Sequence, residues 1–241
     1  INPREVREEL ILPLDLLARW EDESGIAQVR TTLGLLRESA AAQPDRLQFA
    51  RTGSELRRGV AEGRFVALAG LEGGQGIEGD LANLQIAYDD GLRMLGLVHF
   101  QATEAGKPMT VPAYEGEGLT DFGRELVREL ERLGVIVDLA HLNAAGVSEA
   151  LESMERPFVV SHSACRALHD HPRNLDDAEL RRIADRGGVI GIAFGRSFIG
   201  DPGGVEGLLD HLVHALDKAG PDAVAFGSDY GGFIVPVAGL G

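Results

Sequence analysis

From about residue 60 the chain repeats one phrase: a short apolar run, a polar residue at its end, a glycine-rich or polar turn, then an amphipathic helix. The runs are Phe65–Leu71, Leu92–Val98, Val135–Ala140, Pro157–Ser161, Val189–Phe194 and Ala223–Gly227. Each is nearly continuous Val, Ile, Leu and Ala rather than apolar–polar alternation, the pattern of strands covered on both faces. The helices between them show their buried stripes. In TDFGRELVRELERLG, Phe122, Leu126, Leu130 and Leu133 recur at helical spacing, Thr120 can cap the start and Gly134 can end it. In DDAELRRIADRGG the stripe is Leu180, Ile183 and Ala184, with Gly187 as the stop. Strand, helix, strand at such intervals means parallel strands joined by right-handed crossovers. The expected fold is therefore α/β, a TIM-type (β/α)8 barrel.

Six strands are legible where a closed barrel has eight, so the first strand and a C-terminal helix are the doubtful parts. The first 60 residues read as mostly helical, with helices over 29–37 and 53–62 and one candidate strand around 10–16. With 241 residues, one barrel domain over 1–241 is the expected organisation.

The net charge of -15 argues against nucleic acid or an anionic membrane surface as partner, since both need clustered Lys and Arg. A single cysteine, Cys165, cannot form an internal disulfide, and the opening INPREVREEL does not read as a signal peptide. No apolar run approaches the roughly 20 residues of a membrane span. A cytoplasmic location is the expectation.

The residues that end the runs are Glu72, His99, His141, His162 and Asp229. Parallel strands present their carboxyl ends on one rim, so five ionisable side chains from five strands are expected in one pocket. Glu72, His141 and His162 form a two-histidine, one-carboxylate set suited to Zn2+, with a position left for water. Such an ion brings the pKa of its water to roughly 7. Asp229 could then accept a proton and pass it to a leaving amine. His99 could hydrogen-bond a developing oxyanion, and Arg173, in HPRNLDD, could grip a substrate carboxylate through its planar fork. A loop ion pair with Asp176 or Asp177 is the bland reading of Arg173. His211 and His214 on the helix GLLDHLVHALDKAG read as a solvated or half-buried face, His169 and His171 as surface loop, and Cys165 as a small buried residue. Residues 74–79, GQGIEG, spell a dinucleotide-binding turn, but Glu72 and Glu78 would place negative charge beside a pyrophosphate.

The segments GLEGG (70–74), GLRMLGLVH (91–99), GLTDFGRELVRELERLGVIVDLAH (118–141), PFVVSHSACRALHDHPRN (157–174), DAELRRIADRGGVIGI (177–192) and GSDY (227–230), in this order, resemble the membrane (renal) dipeptidases and their bacterial relatives, peptidase family M19. The resemblance implies a binuclear zinc site in a distorted barrel that hydrolyses dipeptides. By position, Glu72 falls on the carboxylate that bridges two metals and His141 and His162 on ligands of the second. His99 and Arg173 fall on substrate-binding positions, and Asp229 on the catalytic aspartate. The family opens with a His-x-Asp pair for the first metal; the nearest counterpart is PLDLLARWED, placing Pro13 on the histidine and Asp15 on the aspartate. Gly231 stands where the family's last turn usually carries a second acid. The site thus reads as complete for one Zn2+ and incomplete for two.

Zinc-dependent hydrolysis of a small peptide substrate is the leading expectation. The alternatives are an impaired family member that binds a ligand or partner, or an amidohydrolase acting on a cyclic amide or lactone. Relatives of this kind often pair, so a homodimer is a further expectation.

Overall fold

The computed structural model describes residues 24–201, 203–230 and 235–240. After the opening helix α1 (Gly25–Ala42), strand β1 (Leu47–Ala50) leads through α2 (Gly53–Ala61) to β2 (Phe65–Leu71). Helix α3 (Leu81–Asp90) precedes β3 (Leu92–Gly96), and α4 (Asp121–Leu133) precedes β4 (Ile136–Asp138). Helix α5 (Ala144–Ser153), β5 (Val159–Ser163), α6 (Asp177–Asp185) and β6 (Val189–Ile192) follow. The short α7 (Arg196–Ile199), the long α8 (Val205–Ala219) and β7 (Val224–Phe226) complete the described elements.

All seven strands form one parallel sheet in the order β1 to β7, each beside its sequence neighbours. A doubly wound sheet reverses its order part-way and carries helices on both faces. A monotonic order with right-handed crossovers puts every helix on one face and leaves the other to curl inward, as in a barrel wall. Among the described residues β1 and β7 each have one strand neighbour, so the wall is not closed there.

The helices start and stop where local chemistry requires. The Thr120 side chain accepts from the Gly123 N–H at the head of α4, and Gly134, at φ 72°, takes the left-handed conformation that ends it. Reciprocal capping boxes, Thr52 with Glu55 and Asp176 with Glu179, open α2 and α6. The core lies between sheet and helices: Leu95, Val137, Ile190 and Ile192 from strands meet Leu84, Leu126, Leu130, Leu180 and Ile183 from helices, all buried. Each such side chain contributes about 1.5–3 kcal/mol relative to exposure.

Three expectations are corrected. The described sheet has seven strands rather than six, because β1 (LQFA) was read as part of a helical region. The candidate strand around 10–16, with Pro13 and Asp15, lies outside the described residues, as does Gly231. Covering on both faces fails at the flanks: Phe65 is 83% exposed on β2 and Phe226 70% on β7. His211 is fully buried rather than solvated or half-buried, its Nδ1 accepting the Cys165 N–H at 3.0 Å, while His214 turns to Asp177 at 2.7 Å. The GQGIEG segment forms a 3-10 turn (Gly74–Ile77) rather than the head of a helix. Glu78 in it accepts from the Gly25 and Ile26 N–H groups at the start of α1. A carboxylate thus faces away from any phosphate role and caps a neighbouring helix.

Beneath the rim, β5, β6 and β7 approach closely at Gly191, where an added Cβ would lie 2.0 Å from the Ser161 carbonyl oxygen. Gly191→Ala is expected to destabilise the fold by about 1–3 kcal/mol, the scale of overpacking. In thermal unfolding this is a Tm drop of roughly 2–4 °C per kcal/mol for a domain of this size; an unchanged Tm would refute the close approach.

Candidate metal centre

Glu72 directly follows β2, His99 and His141 stand three residues past the ends of β3 and β4, and Asp229 three past β7. His162 lies inside β5, one position before its end, and Arg173 in the loop leading to α6. The five strand-end residues and Arg173 line one cavity of about 230 Å³ or contact the residues that do. That volume suits a small ligand.

Glu72 is the hub. Its Oε1 lies 2.9 Å from His141 Nε2, 3.3 Å from His162 Nε2 and 3.6 Å from His99 Nε2. His141 Nε2 and His162 Nε2 are 3.0 Å apart. Ligands about 2.0–2.2 Å from a tetrahedral ion lie about 3.3 Å from one another, so these spacings fit one divalent cation with a carboxylate and two imidazoles. Two overlapping donor triads share Glu72: one adds His99 and His141, the other His162 and Asp229. Asp15, placed by resemblance at the first metal, lies outside the described residues.

The surrounding charges keep these donors in ligating form. Burial pushes the Glu72 carboxyl up, but the His141 hydrogen bond and the neighbouring imidazoles outweigh it and bring its pKa to about 2. Burial and the Arg173 charge push His162 down to about 3, and burial likewise lowers His99 and His141. At neutral pH the carboxylate is ionised and the imidazoles carry free lone pairs. Asp229 moves the other way: burial and the Glu72 charge raise it to about 6, against the pull of Arg173. Two carboxyl groups one cavity apart are thereby pushed to different protonation behaviour, the arrangement that separates a ligand from a proton acceptor.

Arg173 is no loop ion pair. It is buried, with Nη1 2.8 and 2.9 Å from the two ring nitrogens of His141, a spacing that puts the guanidinium over the ring face. Its Cζ sits 5.4 Å from the centre of the Phe198 ring on the other side. Nη2 donates to the His162 carbonyl, and Nε has no hydrogen-bond partner among the described residues. Burial lowers its pKa to about 10, which leaves it cationic at neutral pH.

His141 and Asp229 take left-handed backbone conformations, φ 68° and 60°. Non-glycine residues there carry a steric cost, and such strain concentrates where a side chain must be aimed. Sequence reasoning missed several residues around the centre. His171, read as surface loop, lines the cavity and accepts the Arg173 N–H at 3.2 Å; Phe198 forms another wall. Behind His162 stand Ser161 and the buried Asp138, whose carboxyl is pushed up by burial against three hydrogen bonds that lower it. A charged residue inside the apolar run VIVDLA was the signal available for Asp138.

The model of the membrane dipeptidase family (peptidase family M19) matches residues 16–241. The chain belongs to this family. Its fold is shared with a solved dipeptidase of family M19, dipeptidase AC, at 35% identity and a TM-score of 0.79, over 86% of this chain and 64% of that one. A metallo peptidase from Rhodobacter sphaeroides, crystallised with a phosphinate mimic of the dipeptide L-Ala-D-Ala, is 35% identical with a TM-score of 0.77, over 84% of this chain and 60% of that one. An amidohydrolase from Pseudomonas aeruginosa, at 23% identity and a TM-score of 0.79 over 91% of this chain and 65% of that one, shares the fold. The chain thus spans less than two thirds of the length of each of these structures. Among the described residues no helix is long and apolar enough to cross a membrane.

Metal titration checks the donor set. Wild-type protein is expected to bind a divalent ion such as Zn2+ or Co2+. His162→Ala should weaken binding by more than the roughly 10–100-fold that follows loss of an outer partner; equal affinity would remove His162 from the set.

Proposed function

We propose that the chain is a zinc-dependent dipeptidase whose chemistry is carried at the carboxyl ends of its strands. The observation that carries this is the convergence of the Glu72 oxygen and the Nε2 atoms of His141 and His162 within 3.3 Å of one another, with Asp229 in the same cavity. Membership of the M19 family and the 35% identity to two metallo peptidases support it.

Glu72, His141 and His162 would hold the ion, which supplies Lewis-acid polarisation of a carbonyl and a more acidic water. Arg173, which lines the cavity, offers its fixed positive charge to a substrate carboxylate. His99, which lines the cavity 3.6 Å from Glu72, would donate to the carbonyl oxygen as negative charge develops there. Asp229, ionised at neutral pH, takes the proton of the attacking water at its carboxylate and returns it to the departing amine. The small cavity, closed on one side by Phe198, admits a short peptide better than a folded chain.

Cleavage of a dipeptide panel that includes L-Ala-D-Ala, by zinc-loaded protein, is the direct test. Asp229→Asn should lower kcat/KM by about 10²–10⁴-fold, the usual worth of a general base, with metal content retained. No cleavage of any dipeptide by metal-loaded wild type would instead favour a ligand-binding role.

The pH profile follows from the raised Asp229 carboxyl. A base works only when deprotonated, so kcat/KM should rise as pH climbs through the Asp229 pKa and level off above it. That pKa is about 6 from burial and Glu72, and a cation bound nearby lowers it further. An acid limb centred at or below about 6 is the expected result; one centred above 7 would exclude Asp229 as that base.

A further inference from the structure

Strands β4 and β5 pair through Asp138 opposite Val159, and Leu139 N–H still reaches the Val159 carbonyl at 2.9 Å. Beyond that the two strands part, and the Asp138 side chain takes over the ladder. Its Oδ1 accepts the Ala140 N–H at 3.0 Å and the Ser161 N–H at 2.9 Å, and its Oδ2 accepts the Ser161 hydroxyl at 2.5 Å. The same Ser161 oxygen lies 2.9 Å from His162 Nδ1. Asp138 and His162 are buried, and Ser161 is half-buried.

Proton counting decides the direction of this chain. A serine hydroxyl has one hydrogen, and with Asp138 ionised, the form its two N–H donors and this hydroxyl favour against burial, that hydrogen is donated to Asp138. Toward His162 the Ser161 oxygen can therefore only accept, which requires Nδ1 to carry the hydrogen. In a neutral imidazole the lone pair then resides on Nε2, the atom 3.3 Å from Glu72 and 3.0 Å from His141 Nε2. We infer that Asp138 and Ser161 are positioning residues for the metal centre: through an acid–hydroxyl–imidazole chain they fix the ring plane and tautomer of His162. The carboxylate at the far end also makes Nε2 a stronger donor, as acidic partners of ligating histidines do. His141 is treated differently, with the Arg173 cation over its ring and, among the hydrogen bonds of its ring, no acceptor on Nδ1. The assignment rests on the metal-centre reading, but it makes a claim about metal-free protein as well.

The experiment has two arms. In metal-free wild-type protein, ¹⁵N NMR of the imidazoles, with His162 assigned by the signals lost in His162→Gln, should show a protonated Nδ1 and an unprotonated Nε2. In Ser161→Ala that single tautomer should give way to a mixture. Chelator-competition titration with Zn2+ should show Ser161→Ala weakened by about 10–100-fold and Asp138→Asn by at least as much, while Ser161→Thr, which keeps the hydroxyl, stays within a few-fold of wild type. A bare Nδ1 on His162 in the wild type, or undiminished Zn2+ affinity in Ser161→Ala, overturns the assignment. Loss of affinity in Ser161→Thr equal to that in Ser161→Ala would make the role one of packing and overturn it too. Wild type that binds no Zn2+ overturns the metal-centre reading itself, a failure distinct from a wrong tautomer.

Discussion

Parallel neighbours joined by right-handed crossovers leave the chain no choice about sides: helices go to one face, and every strand points its carboxyl end to one rim. The centre depends on that constraint. Glu72 and His162 are 90 positions apart in the chain, yet Oε1 and Nε2 stand 3.3 Å apart because β2 through β5 run parallel and in order. The buried layer between sheet and helices supports the site; apart from His162, which lies within β5, the reactive groups lie on turns and loops just above it.

Electrostatics at the rim follow from a single ionised carboxylate set among imidazoles and a buried guanidinium. Desolvation alone would push the Glu72 carboxyl up. It stays charged because three imidazole nitrogens lie within 3.6 Å, and its charge in turn helps to raise Asp229. Arg173 suppresses protonation of His162 and His141 and is itself held between the His141 ring and Phe198. Each group's state is set by the others, so removing one member alters the behaviour of the rest.

Much of this was legible in the amino-acid order. Strands β2 to β7 announced themselves as apolar runs, and the ionisable residues that end them were the ones brought together. Strand β1 was hidden because four residues, LQFA, with buried positions alternating, are too short to show a period. Ser161 and Asp138 escaped notice for another reason. Their meaning arises where β4 and β5 separate, and no local pattern records that a carboxylate at one position replaces a ladder partner 23 positions later. His211 read as solvated or half-buried because it shares a helix with His214; only the packing of α8 shows that it turns fully inward to serve the Cys165 N–H. The family resemblance assigned roles to residues whose spatial grouping the strand pattern had already suggested.

The left-handed backbone at His141 and Asp229 sets evolution two aims that pull apart. Glycine would sit there without steric cost, so drift toward a sturdier fold favours losing the very side chains that face the cavity. An imidazole and a carboxylate at such dihedral angles therefore trade some stability for a side chain aimed into the cavity, a cost carried by the backbone rather than by any contact.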